Sequence, residues 1–250
     1  MGRLKETIRA LLPRHVRPRI VLGGPLRGAT LVTSWHDYPG ALLGTTERPL
    51  LAWFARHVRP GETWLDVGAH YGYTALAVAR LTGPAGRVFA FEPVGGTAEC
   101  VERTAAANHM AHLRVVRMAL SDSPVPARLD LPQTRGMADR TLSTGSTLTI
   151  AHQALDSLWL SLHNGDAAIH GIKIDVQGME GEALLGMRRV LNEQHPKLAI
   201  EFHTGVSRQP ILALLGECGY SIDAEPIDPR SGELADDCSY AFYPTGNPTR

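Results

Sequence analysis

The nine residues Asp66 to Thr74, DVGAHYGYT, constrain this chain more than any other stretch. They follow the apolar pair Trp64-Leu65 and precede a helix-like run, Ala75 to Leu81. Glu92 stands eighteen residues after Thr74, at the end of a second apolar run, Val88 to Phe91. Strand, glycine turn, helix, strand and acid is the layout of a nucleotide-binding βαβ unit. Glycine admits a ligand close to the backbone, and the acid accepts from ribose hydroxyls. The spacing separates two cofactor classes. A dinucleotide site reads G-x-G-x-x-G, whereas this chain reads D-x-G-x-x-x-G through Asp66, Gly68 and Gly72. A carboxylate at the mouth repels a pyrophosphate and suits a ligand that carries an ammonium and a sulfonium. That points to S-adenosylmethionine (SAM) and away from NAD.

The rest of the chain repeats the alternation. Strands are expected near 63–67, 87–91, 113–119, 171–176, 197–202, 220–224 and 239–243, and helices near 73–81, 97–108, 180–191 and 210–218. Upstream, 29–35 reads as a short strand, 38–45 as a glycine-punctuated loop and 47–58 as a helix. The expected fold is α/β and Rossmann-like, a mainly parallel seven-stranded sheet with helices on both faces. Only a Pro/Gly/Asp loop, Pro226 to Asp237, joins the last two strands, which predicts one antiparallel C-terminal strand. Residues 1–60 are expected to form an N-terminal cap of helix and strand, and residues 61–250 the SAM-binding domain. The interval 121–156 is too long for an ordinary connection. It reads as a lid or binding loop, a small β excursion, or a surface insertion without function.

Residues 1–20 carry Arg3, Lys5, Arg9, Arg14, Arg17 and Arg19 against one acid, Glu6, with Leu4, Ile8, Leu11 and Leu12 at helical spacing. A helix that packs on the domain or on a second subunit is favoured over a membrane-surface helix, and a homodimer through it is a hypothesis. With 25 basic and 25 acidic residues the net charge is zero, so nothing pulls the chain toward nucleic acid. No apolar stretch approaches the ~20 residues of a membrane span. Cys100, Cys218 and Cys238 are widely spaced and odd in number, as in a cytoplasmic protein with reduced thiols.

In an open α/β sheet, ligands bind outside the carboxyl ends of the strands. That rim gathers Asp66, Glu92, Ala119, Leu120, Asp175 and Glu201 to His203. GIKIDVQGMEGEALLGM, residues 171–187, is the second strong signal: Lys173, Asp175 and Gln177 alternate with Ile172, Ile174 and Val176. Polar groups in a buried strand need a reason. Asp175 is placed to meet the sulfonium side of SAM or the acceptor. Glu180 falls in the first turn of the next helix, where the helix dipole alone also favours an acid.

The strings LDVGAHYGYTALAVAR, VFAFEP, IKIDVQGMEGEALLG and AIEFH, with YPGALLGTTE upstream, together resemble the FkbM family of SAM-dependent methyltransferases over about Pro39 to His203. The resemblance implies the class I methyltransferase fold and methylation of hydroxyl oxygens on sugars and other natural products. By position it implies Asp66, Gly68, Ala69 and Gly72 along the methionine half of SAM. Glu92 would hold the ribose with Pro93 beside it, and Ala119, Leu120 and Ser121 would flank the adenine. Glu47 would reach the cofactor or close the site, unless it is only a helix-cap acid. His70, unusual inside a glycine turn, would touch the SAM carboxylate or the acceptor, or point to solvent. One departure stands out: the family's D-V-E-G string has Glu where this chain has Gln177, which puts in doubt any mechanism that uses a carboxylate there.

Methyl transfer from a sulfonium is an in-line displacement that depends on positioning. A neutral alcohol also has to lose its proton, to a carboxylate or imidazole within hydrogen-bond reach. Asp175 and His203 are the candidates, with Glu180 third. Asp175, Glu201 and His203 also carry oxygen and nitrogen ligands for a divalent metal. No H-E-x-x-H motif is present, and the expectation is no metal. The expected partner is a small hydroxylated acceptor. N-methylation and a catalytically silent SAM-binding protein are the alternatives; a base-extruding nucleic-acid methyltransferase would need a basic track that the composition lacks.

Overall fold

A computed structural model describes residues 11–123, 127–132, 145–162 and 168–246, without the side chains of 127–132 and 145–148. Two short strands, β1 (Arg17–Ile20) and β2 (Thr30–Thr33), pair antiparallel and lead into helices α1 (Pro39–Leu43) and α2 (Arg48–His57). There follow β3 (Thr63–Val67), α3 (Tyr73–Thr82), β4 (Arg87–Phe91), α4 (Gly95–Ala107), β5 (Leu113–Val116) and β6 (Ala119–Leu120). Next come β7 (Ala127–Pro132), β8 (Gly145–Ile150), β9 (His152–Gln153), α5 (Leu155–Leu162), β10 (Gly171–Ile174), α6 (Glu180–Leu185) and α7 (Arg188–Gln194). The chain closes with β11 (Lys197–Phe202), α8 (Arg208–Glu217), β12 (Glu225–Pro226) and β13 (Cys238–Phe242).

Seven strands form the main sheet in the order β12-β13-β11-β10-β3-β4-β5. Neighbours from β11 to β5 are parallel, and β13 runs antiparallel to both of its neighbours. This is the expected Rossmann-like architecture, a mainly parallel seven-stranded sheet with one antiparallel strand from the C-terminal region. The period-2 pattern of the strands divides their side chains between two cores. Leu65, Val67, Phe89, Phe91, Ile172, Ile174, Leu198 and Ile200 face one. Trp64, Val88, Ala90 and Ala199 face the other. Asp66 and Lys173, at the alternate positions that go with the second set, are register partners across β3 and β10.

The structure corrects several boundaries. Residues 17–20 of the expected leading helix are β1, because Pro13 and Pro18 cannot continue a helical hydrogen-bond ladder; residues 1–10 lie outside the described residues. The expected loop 38–45 contains α1, with Pro39 at the helix start and Gly44 closing it at φ 69°. The single helix expected over 180–191 is two, α6 and α7. Asp156 on α5 causes the break by accepting from the backbone N–H groups of Arg189 (2.8 Å) and Val190 (3.0 Å), the donors a new helix start leaves orphaned. The strand expected over 220–224 is displaced to β12. Tyr220 is a buried anchor whose hydroxyl donates to the Pro196 carbonyl at 2.8 Å, and it makes only an isolated bridge to Pro244. Strand 113–119 divides into β5 and β6, and β6 pairs with β9. The long interval holds an antiparallel hairpin, β7 with β8, so the β excursion is present; its tip, 133–144, lies outside the described residues.

All three cysteines are free. Among the described residues, no helix is long and apolar enough to cross a membrane.

Candidate active site

A cavity of about 380 Å³ opens at the carboxyl ends of β3, β4 and β10. The α1–α2 segment supplies Tyr38 and Glu47, the turn after β3 supplies Gly68, Ala69 and His70, and the end of β4 supplies Glu92 and Pro93. Ala119 and Leu120 close one side, and Asp175, Gln177 and Glu201 another. Of the residues expected here from the sequence, Asp66, Gly72, Ser121, Glu180 and His203 do not line the cavity. They stand behind it.

Asp66 is buried, and its carboxylate already has partners. Thr74 Oγ1 donates to Oδ2 at 2.6 Å, and Lys173 Nζ lies 3.1 Å from Oδ1. Lys173 also donates to the Gly68 carbonyl at 2.9 Å and lies 3.4 Å from Asp175 Oδ2. Burial alone would lower the Lys173 pKa. The charges of Asp66 and Asp175 outweigh it and hold the ammonium above its ordinary value. Asp66 therefore acts on the glycine turn from beneath. Lys173 was missed as a site residue, although its polar position in the alternating IKIDVQ string was the signal that could have found it.

Gly68 is where backbone meets backbone. Its φ is +82°, and a Cβ would fall 1.8 Å from the Asp175 carbonyl oxygen. The Gly68 and Ala69 N–H groups both donate to the Phe91 carbonyl at 3.0 Å, which fixes the turn against the end of β4. Gly72 sits at the start of α3 with φ 81°.

Glu92 is buried and organises the far side. Oε2 accepts from the His70 N–H at 2.8 Å, and Oε1 accepts from the Val94 N–H and the Thr97 hydroxyl, each at 2.9 Å. Burial outweighs these hydrogen bonds and pushes its carboxyl up to about 7. The His70 ring lines the cavity, with Tyr38 edge-on at 5.3 Å and Tyr71 at 4.4 Å between centroids. His70 does not simply point to solvent.

The third wall is a charge cluster. Gln177, at φ 53°, extends its amide nitrogen to 3.2 Å from Asp175 Oδ1 and 2.7 Å from His203 Nε2. His203 Nδ1 donates to Glu180 Oε1 at 2.8 Å, and Glu180 is wholly buried. The same Glu180 oxygen accepts from the Gly178 N–H at 3.1 Å. Burial opposes a charged His203 ring, but the Glu180 hydrogen bond and the charges of Asp175, Glu180 and Glu201 prevail and raise its pKa. The Gln177 contact works the other way, because an amide N–H needs the lone pair of a neutral ring at Nε2. Three carboxylates around one imidazole are the larger effect, and an imidazolium is accommodated once the amide turns away. Burial would raise Asp175, but Lys173 and His203 hold it below the usual range. Burial and the Asp175 charge push Glu201 upward, and the same pair of causes raises Glu47.

The chain matches the family profile described as the methyltransferase FkbM domain over residues 66–222. Solved structures share the fold. A methyltransferase FkbM from Methylobacillus flagellatus KT is 20% identical, with a TM-score of 0.48, over 82% of this chain and 53% of that one, so this chain spans about half of that protein. An rRNA methylase from Streptococcus thermophilus is 11% identical, with a TM-score of 0.50, over 80% of this chain and 98% of that one. A Streptococcus mutans protein in complex with SAH is 10% identical, with a TM-score of 0.50, over 79% of this chain and 98% of that one. At these identities the two structures with a TM-score of 0.50 show a likeness of fold alone. No curated protein sequence matches the chain.

Proposed function

Because the chain belongs to the FkbM methyltransferase family, as its match over more than half its length shows, we propose that it methylates a hydroxyl oxygen of a small molecule such as a sugar or another natural product. SAM is its methyl donor. The bound cofactor supplies an electrophilic methyl carbon and a thioether leaving group.

The residues present suit that cofactor. Glu92 turns a buried carboxylate to the cavity, and among the described residues its Oε2 accepts from one backbone N–H, that of His70, which leaves a lone pair for ribose hydroxyls. The Gly68 turn brings backbone to the cavity wall where a side chain has no room. Pro93, Ala119 and Leu120 give an apolar flank for a base, and Ala69, His70 and Glu47 lie toward the methionine side.

One observation carries the choice of oxygen. Asp175 lines the cavity with its carboxylate held ionised by Lys173 and His203. An alcohol attacks productively when its proton has an acceptor within reach. In this reading the alcohol oxygen forms a bond to the methyl carbon as the carbon–sulfur bond breaks. The proton passes to Asp175, and His203, backed by Glu180, steadies the charge. N-methylation is the second reading, because Glu47, Asp175 and Glu201 face one cavity and suit an amine that arrives protonated, gives its proton to a carboxylate and then attacks as the free base.

Methyl-labelled SAM incubated with paired alcohol and amine acceptors tests this. Label in an O-methyl product, reduced about 10²–10⁴-fold in rate by Asp175→Asn, supports the proposal. Label only in N-methyl products overturns it in favour of the second reading. Tight SAM binding with no transfer to any acceptor identifies a silent binder.

A further inference from the structure

The register of β10 and β11 brings together groups that lie far apart in the sequence. Ile174 pairs with Ile200, so Asp175, just past the end of β10, comes beside Glu201, still within β11, with His203 two positions further on. Among the described residues, these three form the one group of carboxylate and imidazole donors close enough to share an ion, with ligand atoms within 4.8 Å of one another. His203 Nε2 lies 3.4 Å from Asp175 Oδ1 and 3.6 Å from Glu201 Oε1. Adjacent ligands on an octahedral Mg²⁺ or Mn²⁺, with bonds of about 2.1 Å, stand about 3 Å apart. Small side-chain movements close that difference.

A second observation concerns the ring behind. Nδ1–H of His203 donates to Glu180 Oε1 at 2.8 Å, and Glu180 has no exposure to solvent. A buried carboxylate on the far nitrogen fixes the tautomer and aims the Nε2 lone pair between Asp175 and Glu201. That is the outer-shell arrangement of metal-bound histidines. The local charge balance agrees. Glu47, Asp66, Asp175, Glu180 and Glu201 crowd around one permanent cation, Lys173, so an ion at His203 Nε2 takes the place of a proton there; Lys173 lies on the other oxygen of Asp175, leaving Oδ1 toward the ring.

We infer that Asp175, Glu201 and His203 form one face of a binding site for a single divalent cation of the Mg²⁺/Mn²⁺ class. The sequence expectation was no metal. The sequence names Asp175, Glu201 and His203 as possible oxygen and nitrogen ligands, and the strand register is what brings them within reach of one ion. Asp175 and Glu201 both line the cavity, so the open positions of the ion face it. Gln177 now fills part of the space with its amide nitrogen. Turning the amide by half a turn presents Oε1, a hard oxygen ligand, at the same place. The role of the ion rests on the methyl-transfer reading: held against the acceptor oxygen it would lower the pKa of the hydroxyl, and Asp175 would then serve as a ligand in place of its role as proton acceptor.

The test is Mn²⁺ binding to chelator-stripped, dialysed protein, followed by the electron paramagnetic resonance signal of free Mn²⁺. Wild type is compared with Glu201→Gln, Asp175→Asn and the exposed control Glu217→Gln. SAM binding is measured in parallel by calorimetry on the metal-free protein. The expected result is one Mn²⁺ per chain, competed by Mg²⁺, with at least tenfold weaker binding in the two site variants and none of that loss in the control. Absence of saturable Mn²⁺ binding by folded wild type, or equal binding by all variants, overturns the site. A metal-free protein that fails to bind SAM counts against the methyl-transfer reading and leaves the metal result to stand by itself.

Discussion

Lys173 and Asp66, register partners on adjacent parallel strands, face each other with Nζ 3.1 Å from Oδ1 and with both side chains almost sealed from solvent. The pair joins the glycine turn after β3 to the exit of β10. Lys173 also holds the Gly68 carbonyl, so one ammonium ties together the two segments that wall the cavity. The acid that opens the glycine motif is a foundation for the turn.

Removing one member of a buried ion pair leaves the other uncompensated. Lys173→Met is expected to cost about 3–5 kcal/mol of stability, and Asp66→Asn with Lys173→Met to recover much of it. Urea unfolding of wild type and the two variants measures this. A single-variant cost below about 1 kcal/mol would mean that Asp66 is compensated elsewhere.

Gly68→Ala meets two obstacles, a left-handed backbone and a Cβ 1.8 Å from the Asp175 carbonyl oxygen. It is expected to destabilise by more than about 1 kcal/mol. SAM affinity should fall at least about tenfold, equivalent to about 1.4 kcal/mol, because the turn must move away from β10. Thermal unfolding and calorimetry check the two effects separately.

Glu92 makes cofactor affinity and apo stability respond to pH in opposite directions. Its carboxyl stands at about 7 in the fold, raised from an ordinary 4.5 mainly by burial. A raised carboxyl contributes stability that is fully present below the unfolded value and is lost as pH rises through the folded one. Apo stability from this group therefore declines between about pH 4.5 and 7. Ribose hydroxyls need the ionised form, so SAM affinity should rise from pH 6 to 8, by up to about tenfold per pH unit below the midpoint. Glu92→Gln should flatten both profiles. A SAM affinity that does not change over this range in wild type would remove Glu92 from the ribose.

Glu47 combines a left-handed backbone at φ 52° with a carboxyl raised by burial and by the Asp175 charge. A residue held this way without a ligand is frustrated. Glu47→Gln, which keeps the shape and removes the charge, is expected to stabilise the apo protein by about 0.5–2 kcal/mol at pH 8 and to weaken SAM or acceptor binding. Differential scanning calorimetry with and without SAM decides; a destabilised variant would show that the charge is satisfied within the apo fold.

The alternating pattern was enough to place most of the sheet, because buried parallel strands read as short apolar runs between glycine turns. It misplaced elements where long-range contacts decide. Asp156, contributed from α5, splits the helix after Gly178 into two, and no local propensity announces a cap that distant. Tyr220 looks like strand sequence because it is apolar, yet it is an anchor in the core.

The same division holds at the site. The local spacing of Asp66, Gly68, Gly72 and Glu92 by itself announced the βαβ unit and pointed to SAM, since backbone turns and strand ends are set within a few residues; the carboxylate expected at the mouth is instead buried against Lys173, behind the cavity. Only the tertiary structure decided how the charges are shared. Strand register put Lys173 under Asp66 and Asp175 beside Glu201, and packing placed Glu180 behind His203. Electrostatic roles depend on distance and burial, and neither is encoded in separation along the chain.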